Sequence, residues 1–224
     1  MNMKDLPATS FNKKEYFRGK NSNYNKLPGG YTFLRRALFW KGKVKRISRF
    51  KPNGKVLELG CAYGFLLFFM KEKYEVYGCD ISQHAIRVCK KIFSKSYQNN
   101  FFVHDASRPL PFPKSYFDVI ICNDVIEHIP NVSIPLMNIR NVLADDGIFY
   151  LRIPIKTRSK ITEFLRFDRD ISHVSIMPEN KLLAILEKLK FEIVEKRYLW
   201  MGAIPFPKLI HFGTDLNLIL KKRI

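Results

Sequence analysis

The apolar positions fall into short blocks that change period along the chain. Phe33, Ala37, Trp40, Val44 and Ile47 recur at alternating four- and three-residue steps, which predicts one apolar stripe on a helix. Pro52-Asn53-Gly54 then breaks the pattern. Beyond it, strand-like and helix-like runs alternate. Strands are predicted at Lys55–Leu59, Glu75–Cys79, Phe101–His104, Phe117–Cys122, Ile148–Ile153, Phe191–Arg197 and Leu216–Lys221. Helices are predicted at Phe65–Lys73, Ser82–Ser94 (with Ser82 as N-cap), Ile134–Leu143 (closed by Asp145-Asp146-Gly147) and Pro178–Leu189. The run FDVIIC at 117–122 is nearly all apolar, as a central parallel strand requires. This alternation predicts a doubly wound α/β protein with a seven-stranded, mostly parallel sheet. Residues 1–52 read as a basic N-terminal helical cap and 53–224 as the main domain.

Charge sharpens that division. The 224 residues carry 39 Lys and Arg against 20 Asp and Glu, a net +19. Residues 1–50 alone hold 13 basic residues against Asp5 and Glu15. Around the apolar stripe stand Arg35, Arg36, Lys41, Lys43, Lys45, Arg46 and Arg49, read here as a solvated face in preference to an anion-binding one. With 46% apolar residues the chain is no disordered polybasic tail. No apolar run nears the roughly 20 residues that span a bilayer, and the first residues show no signal-peptide pattern. Cys61, Cys79, Cys89 and Cys122 form no C-x-x-C pair and read as reduced core thiols, which suggests a cytoplasmic protein.

Candidate chemistry begins at VLELGCAYGFLLFF, where Glu58, Gly60, Ala62 and Gly64 occupy the turn between first strand and first helix of the main domain. Small residues there let a ligand approach the backbone. The turn lacks the last Gly of G-x-G-x-x-G and the G-K-[ST] of a P-loop, so neither pyrophosphate nor triphosphate is the indicated ligand.

Glu58-Leu59-Gly60-Cys61-Ala62-Tyr63-Gly64 resembles the acid-x-G-x-G-x-G motif of the class I S-adenosylmethionine (SAM)-dependent methyltransferases, with Ala62 replacing the middle Gly. The resemblance covers roughly residues 53–200 and rests on four motifs in order, with LPFPKSYFD before the fourth strand. It implies SAM as cofactor. Asp80, followed by Ile81, would take the ribose hydroxyls; Asp105 and the backbone of Ala106 would read the adenine; Asn123 would lie beside the methionine part. A carboxylate suits the ribose because it accepts two O–H bonds at once.

SAM carries its own leaving group, so the protein mainly positions the acceptor, and a base helps when the acceptor is a hydroxyl. His128 and His173 are the candidate catalytic residues. In NDVIEHI, Asp124, Glu127 and His128 would share one helical face. This resembles the acid-x-x-E-H metal site of some quinone and RNA 3′-end O-methyltransferases. The preferred reading is that Glu127 and His128 line the pocket and no metal is held.

Acceptor choice should come from residues 1–35, 154–177 and 199–214, which interleave Tyr16, Phe17, Tyr24, Tyr31, Phe164, Phe167, Trp200, Phe206 and Phe212 with Lys and Arg. NDVI replaces the N-P-P-[YF] signature of amino-group methylation. The expectation is therefore methyl transfer, to oxygen, on a small-molecule, lipid-linked or glycan acceptor. One alternative is RNA methylation using the basic N-terminal face, since nucleic acid is an open partner. Another is a non-catalytic SAM-fold binding protein, with peripheral contact to an anionic membrane.

Overall fold

The computed structural model describes residues 16, 33–156, 172–200, 204–205 and 215–223. Helix α1 spans Phe33–Ser48; it is followed by β1 (Gly54–Leu59), α2 (Phe65–Met70), β2 (Tyr74–Asp80), α3 (Gln83–Ile92), a 3-10 turn (Lys95–Asn100) and β3 (Phe101–Val103). Then come β4 (Phe117–Asn123), a second 3-10 turn (Ile126–His128), α4 (Ser133–Val142) and β5 (Leu143–Lys156). The chain continues through β6 (Met177–Pro178), α5 (Glu179–Lys188), β7 (Phe191–Trp200), β8 (Ile204–Pro205) and β9 (Asp215–Lys222). The expected seven strands are present; β6 and β8 are two-residue additions.

The sheet order is β3-β2-β1-β4-β5-β9-β7-β8. β1 pairs parallel with both β2 and β4, so the order reverses between β1 and β4. Ligands of open α/β sheets bind at that switch point, above the carboxyl ends of the strands. β9 runs antiparallel to β5 and β7.

Successive side chains on a strand point to opposite faces, so these nearly continuous apolar strands feed two cores. Leu57, Ile120, Leu151 and Leu218 pack with Leu136 and Ile139 of α4 and Leu182 and Leu186 of α5. Val56, Val119, Tyr150 and Ile219 pack on the other face with Leu66 and Leu67 of α2, Ile86 of α3 and Ile47 of α1. Helices on both faces confirm the doubly wound α/β architecture. Ser82 caps α3 as expected, its Oγ accepting from the Ala85 N–H. All four cysteines are free and buried.

Two elements depart from expectation. Helix α2 ends at Met70, three residues early. Strand β5 begins at Leu143 and absorbs Asp145-Asp146-Gly147, expected to be a turn. There Phe117 pairs with Leu143 but Val119 pairs with Ile148, so the intervening residues bulge between two paired stretches. Lys222 and Lys51 anchor the bulge through Asp145 (2.9 Å) and Asp146 (2.6 Å).

Candidate active site

The β1–α2 loop is built from left-handed backbone. Gly60, Ala62 and Gly64 have φ of 66°, 47° and 71°. A β-carbon on Gly60 would sit 2.3 Å from Val125 Cγ2, and one on Gly64 2.8 Å from Cys89 Sγ. Ala62 takes the same region with a β-carbon, at roughly 1–2 kcal/mol of strain. It is held there because its N–H donates to Asp80 Oδ2 (2.9 Å) and its carbonyl accepts from Cys89 Sγ–H (3.4 Å). Asp80 Oδ1 accepts from the Ser82 N–H (2.8 Å), so one carboxylate ties together the loops after β1 and β2. Burial raises the Asp80 carboxyl above its usual range. Ile81 lies half-buried between them.

After β3, Asp105 Oδ1 accepts from the backbone N–H (2.9 Å) and hydroxyl (2.7 Å) of Ser107, which fixes a local turn. Ala106, next to it, offers its carbonyl to Asn138 Nδ2 (3.4 Å).

A chain of three side chains crosses the switch point. Asn123, at the end of β4, donates through Nδ2 to Glu58 Oε1 (3.2 Å) at the end of β1. Its Oδ1 accepts from Lys43 Nζ (3.0 Å), which reaches in from α1. Glu58 Oε2 is buried and has no hydrogen-bond partner among the described residues. Burial pushes the Glu58 carboxyl up to about 8 and pulls the Lys43 ammonium down to about 7.

Sequence reasoning missed Lys43 by assigning it to a solvated face. It is 6% exposed, over the rings of Phe39, Trp40 and Tyr150. A signal was present: positions 40, 43, 44 and 47 follow the i, i+3, i+4, i+7 rule, which puts Lys43 inside the apolar stripe. Arg46 is likewise drawn in, bonding Glu195 of β7 at 2.6 Å. Trp40 and Val44 pack on the core as the stripe requires; the side chains of Phe33 and Ala37 lie outside the described residues.

Asp124, Glu127 and His128 do not share a face. Only a 3-10 turn forms at 126–128, and Asp124 adopts φ 52°. Its carboxylate turns to Arg152 (3.1 Å), which also holds Asp215 (2.6 Å). His173 takes the place expected of Asp124. The rings of His128 and His173 lie 4.8 Å apart, and His173 Nε2 is 3.9 Å from Glu127 Oε1. Ligand atoms of Glu127, His128 and His173 all fall within 4.8 Å of one another. Glu127 is fully buried; burial drives its carboxyl well above the usual range, and among the described residues neither oxygen has a hydrogen-bond partner. His128 Nδ1 lies 3.2 Å from the Ser172 carbonyl. The Ser172 hydroxyl lies 3.0 Å from the same nitrogen, so the two Ser172 oxygens fix the orientation of the ring, and either tautomer can bond them. Val174 and Ser175 donate their N–H groups to the Glu127 carbonyl (both 2.9 Å), pinning the segment after His173 onto this turn.

Of the aromatics expected to select the acceptor, Phe17, Tyr24, Tyr31, Phe164, Phe167, Phe206 and Phe212 lie outside the described residues, as does the Trp200 side chain. Among the described residues, no helix is long and apolar enough to cross a membrane.

Comparison with known proteins places this geometry in context. The chain is 24% identical over 163 residues to an uncharacterized methyltransferase, YcgJ, of Bacillus subtilis, covering 69% of this chain and 64% of that one. It is 27% identical over 144 residues to the ubiquinone/menaquinone biosynthesis C-methyltransferase UbiE of Burkholderia mallei, covering 62% and 57%. The chain thus spans less than two thirds of the length of these relatives. A SAM-dependent methyltransferase structure from Archaeoglobus fulgidus superposes with a TM-score of 0.63 at 22% identity, covering 86% of this chain and all of that one, a likeness of fold. A methyltransferase-domain family model matches residues 33–196, from α1 into β7. This chain belongs to that methyltransferase-domain family.

Proposed function

We propose that this chain binds SAM across the ends of β1, β2 and β4 and transfers its methyl group to an oxygen of a small-molecule, lipid-linked or glycan acceptor. The donor set fits SAM. The closed space at Gly60 admits backbone but no β-carbon, Asp80 and Asp105 present carboxylates to hydroxyl and amino donors, and the orphaned Glu58 Oε2 suits an ammonium. When bound, SAM supplies an electrophilic methyl on a sulfonium. The chain's own residues must then align the acceptor and receive its proton.

The observation that carries the oxygen reading is the Glu127–His128–His173 cluster just beyond β4. The two imidazoles stand side by side there, and the Ser172 carbonyl and hydroxyl against Nδ1 hold the His128 ring where it can receive the hydroxyl proton. Radiolabelled SAM incubated with extract fractionated into RNA, lipid and small-molecule pools tests the reading. Label should enter the lipid or small-molecule pool as an alkali-stable methyl ether or base-labile ester, and Asp80→Ala should abolish it. Label on carbon, the chemistry named for the UbiE relative, would refute oxygen as the acceptor atom. Label in RNA would refute the acceptor class.

A second reading uses the same three side chains as ligands of a divalent cation against the acceptor oxygen. Their mutual spacing and the unpartnered Glu127 oxygens favour it. Turnover that survives exhaustive EDTA treatment selects the base; turnover restored only by an added divalent ion selects the metal.

The excess positive charge is given to docking on an anionic surface. Lys41, Lys45, Arg49, Lys71 and Lys73 line a groove of about 600 Å³ between α1 and the turn into β2, beside Phe68 and Phe69. Ser48 of that groove bonds the Tyr74 hydroxyl (2.9 Å) at the start of β2, the end of the sheet opposite the site. Binding there leaves the carboxyl ends of the strands open. Retention on anionic vesicles should fall steeply with salt.

A further inference from the structure

Lys43 stands where a structural role explains it poorly. A buried ammonium is stabilised best by a touching carboxylate. Among the described residues none lies within salt-bridge distance of its Nζ, although Glu58 is two side chains away. Asn123 separates them, with one amide atom on each. A basic and an acidic side chain are thereby held apart across an amide bridge, each with bonding capacity left over: two further N–H donors on Lys43 and the whole of Oε2 on Glu58.

An α-amino acid group, with a carboxylate and an ammonium on one carbon, asks for one basic and one acidic partner side by side, and the two hydrogen bonds to Asn123 supply that pair. The bridge sits at the switch point between β1 and β4, where the fold binds its ligand. We infer that Lys43 of α1 receives the α-carboxylate of the SAM methionine moiety while Glu58 receives its α-ammonium, so that the cap helix forms one wall of the cofactor site. The inference rests on the SAM reading above and extends it to a residue outside the loop motifs. The shifts of Glu58 and Lys43 agree with it, because each charge is poorly solvated until a ligand of opposite sign arrives. The rings of Phe39, Trp40 and Tyr150 lie within 6 Å of the ammonium, and Asn123 gives it a polar neighbour.

The two ends of the ligand can be tested separately. S-adenosylhomocysteine has the carboxylate and ammonium; 5′-methylthioadenosine shares the adenosine and sulfur but lacks both. Calorimetry of the full chain and of Lys43→Met should show S-adenosylhomocysteine weakened by about 10- to 100-fold, the worth of a charged hydrogen bond. Affinity for 5′-methylthioadenosine should stay within about twofold. Lys43→Arg should recover part of the loss. Equal weakening of both ligands would mean that Lys43 only shapes the fold, and no weakening of either would mean that it does not touch the ligand; both overturn the inference. Failure of the unmodified chain to bind either ligand would instead bring down the SAM reading, and this inference with it. Melting curves of each variant separate lost binding from lost structure.

Discussion

Gly60→Ala probes the geometry on which the site depends. Two separate terms apply. A β-carbon at φ 66° costs about 1–2 kcal/mol in the left-handed region. That carbon would also lie 2.3 Å from Val125 Cγ2, an overlap that typically costs about 1–3 kcal/mol once neighbours shift. The sum is roughly 2–5 kcal/mol, or a fall of roughly 4–20 °C in melting temperature for a domain of this size. Only the second term depends on Val125. The nearest atom is the end of that side chain, so Val125→Ala should relieve the overlap and leave the backbone strain. A double-mutant cycle by urea unfolding of ligand-free protein, over Gly60→Ala, Val125→Ala and both together, should give a favourable coupling of about 1–3 kcal/mol. A coupling below about 0.5 kcal/mol would refute the close approach of β1–α2 loop and β4–α4 loop, and with it the tight cradle proposed for the cofactor.

Four further outcomes follow from the same structure. Ala62→Gly should raise stability by up to about 1 kcal/mol, because relief of left-handed strain slightly exceeds the added freedom of the unfolded chain; a loss would show that the methyl packs usefully. The Glu58 carboxyl is raised from 4.5 to about 8, so the folded chain holds a proton there that the unfolded chain has lost. Stability from this group is therefore full below pH 4.5 and declines towards pH 8; between pH 5 and 7 the wild type should lose about 2–3 kcal/mol relative to Glu58→Gln, read from urea midpoints at each pH. Arg152→Met takes the guanidinium from the buried Asp215 and the partly exposed Asp124 and should cost less than the roughly 3–5 kcal/mol of breaking a fully buried pair, while a triple change that also makes both acids apolar should recover most of it. Ser82→Ala removes the cap of α3 and should cost about 0.5–2 kcal/mol by thermal melting.

Much of this protein was legible in its sequence because the signals are local. Seven apolar strand runs, the Ser82 cap and the small residues at 60, 62 and 64 each depend on neighbours within a few positions. Hydrophobic period and turn chemistry report such neighbours directly. The alternation of strand and helix then leaves few topologies, since parallel crossovers share one hand. The pairing of β9 against β5 and β7 did not show in its apolar pattern, because periodicity carries no strand direction.

What tertiary structure alone decided is which charges face inward and which meet. Asp124 and His173 lie 49 positions apart, and their exchange of roles follows from Arg152, which captures Asp124 from the adjacent strand. Lys43 illustrates the same limit. Six basic residues on α1 look alike in composition, and a charge run is ordinarily a solvated face. Burial of one among Phe39, Trp40 and Tyr150, against Asn123 eighty residues away, is set by how α1 docks on the sheet. Local sequence fixes the period of a helix; only the packed partner determines the free energy of a charge on it, because desolvation and pairing are properties of the surroundings.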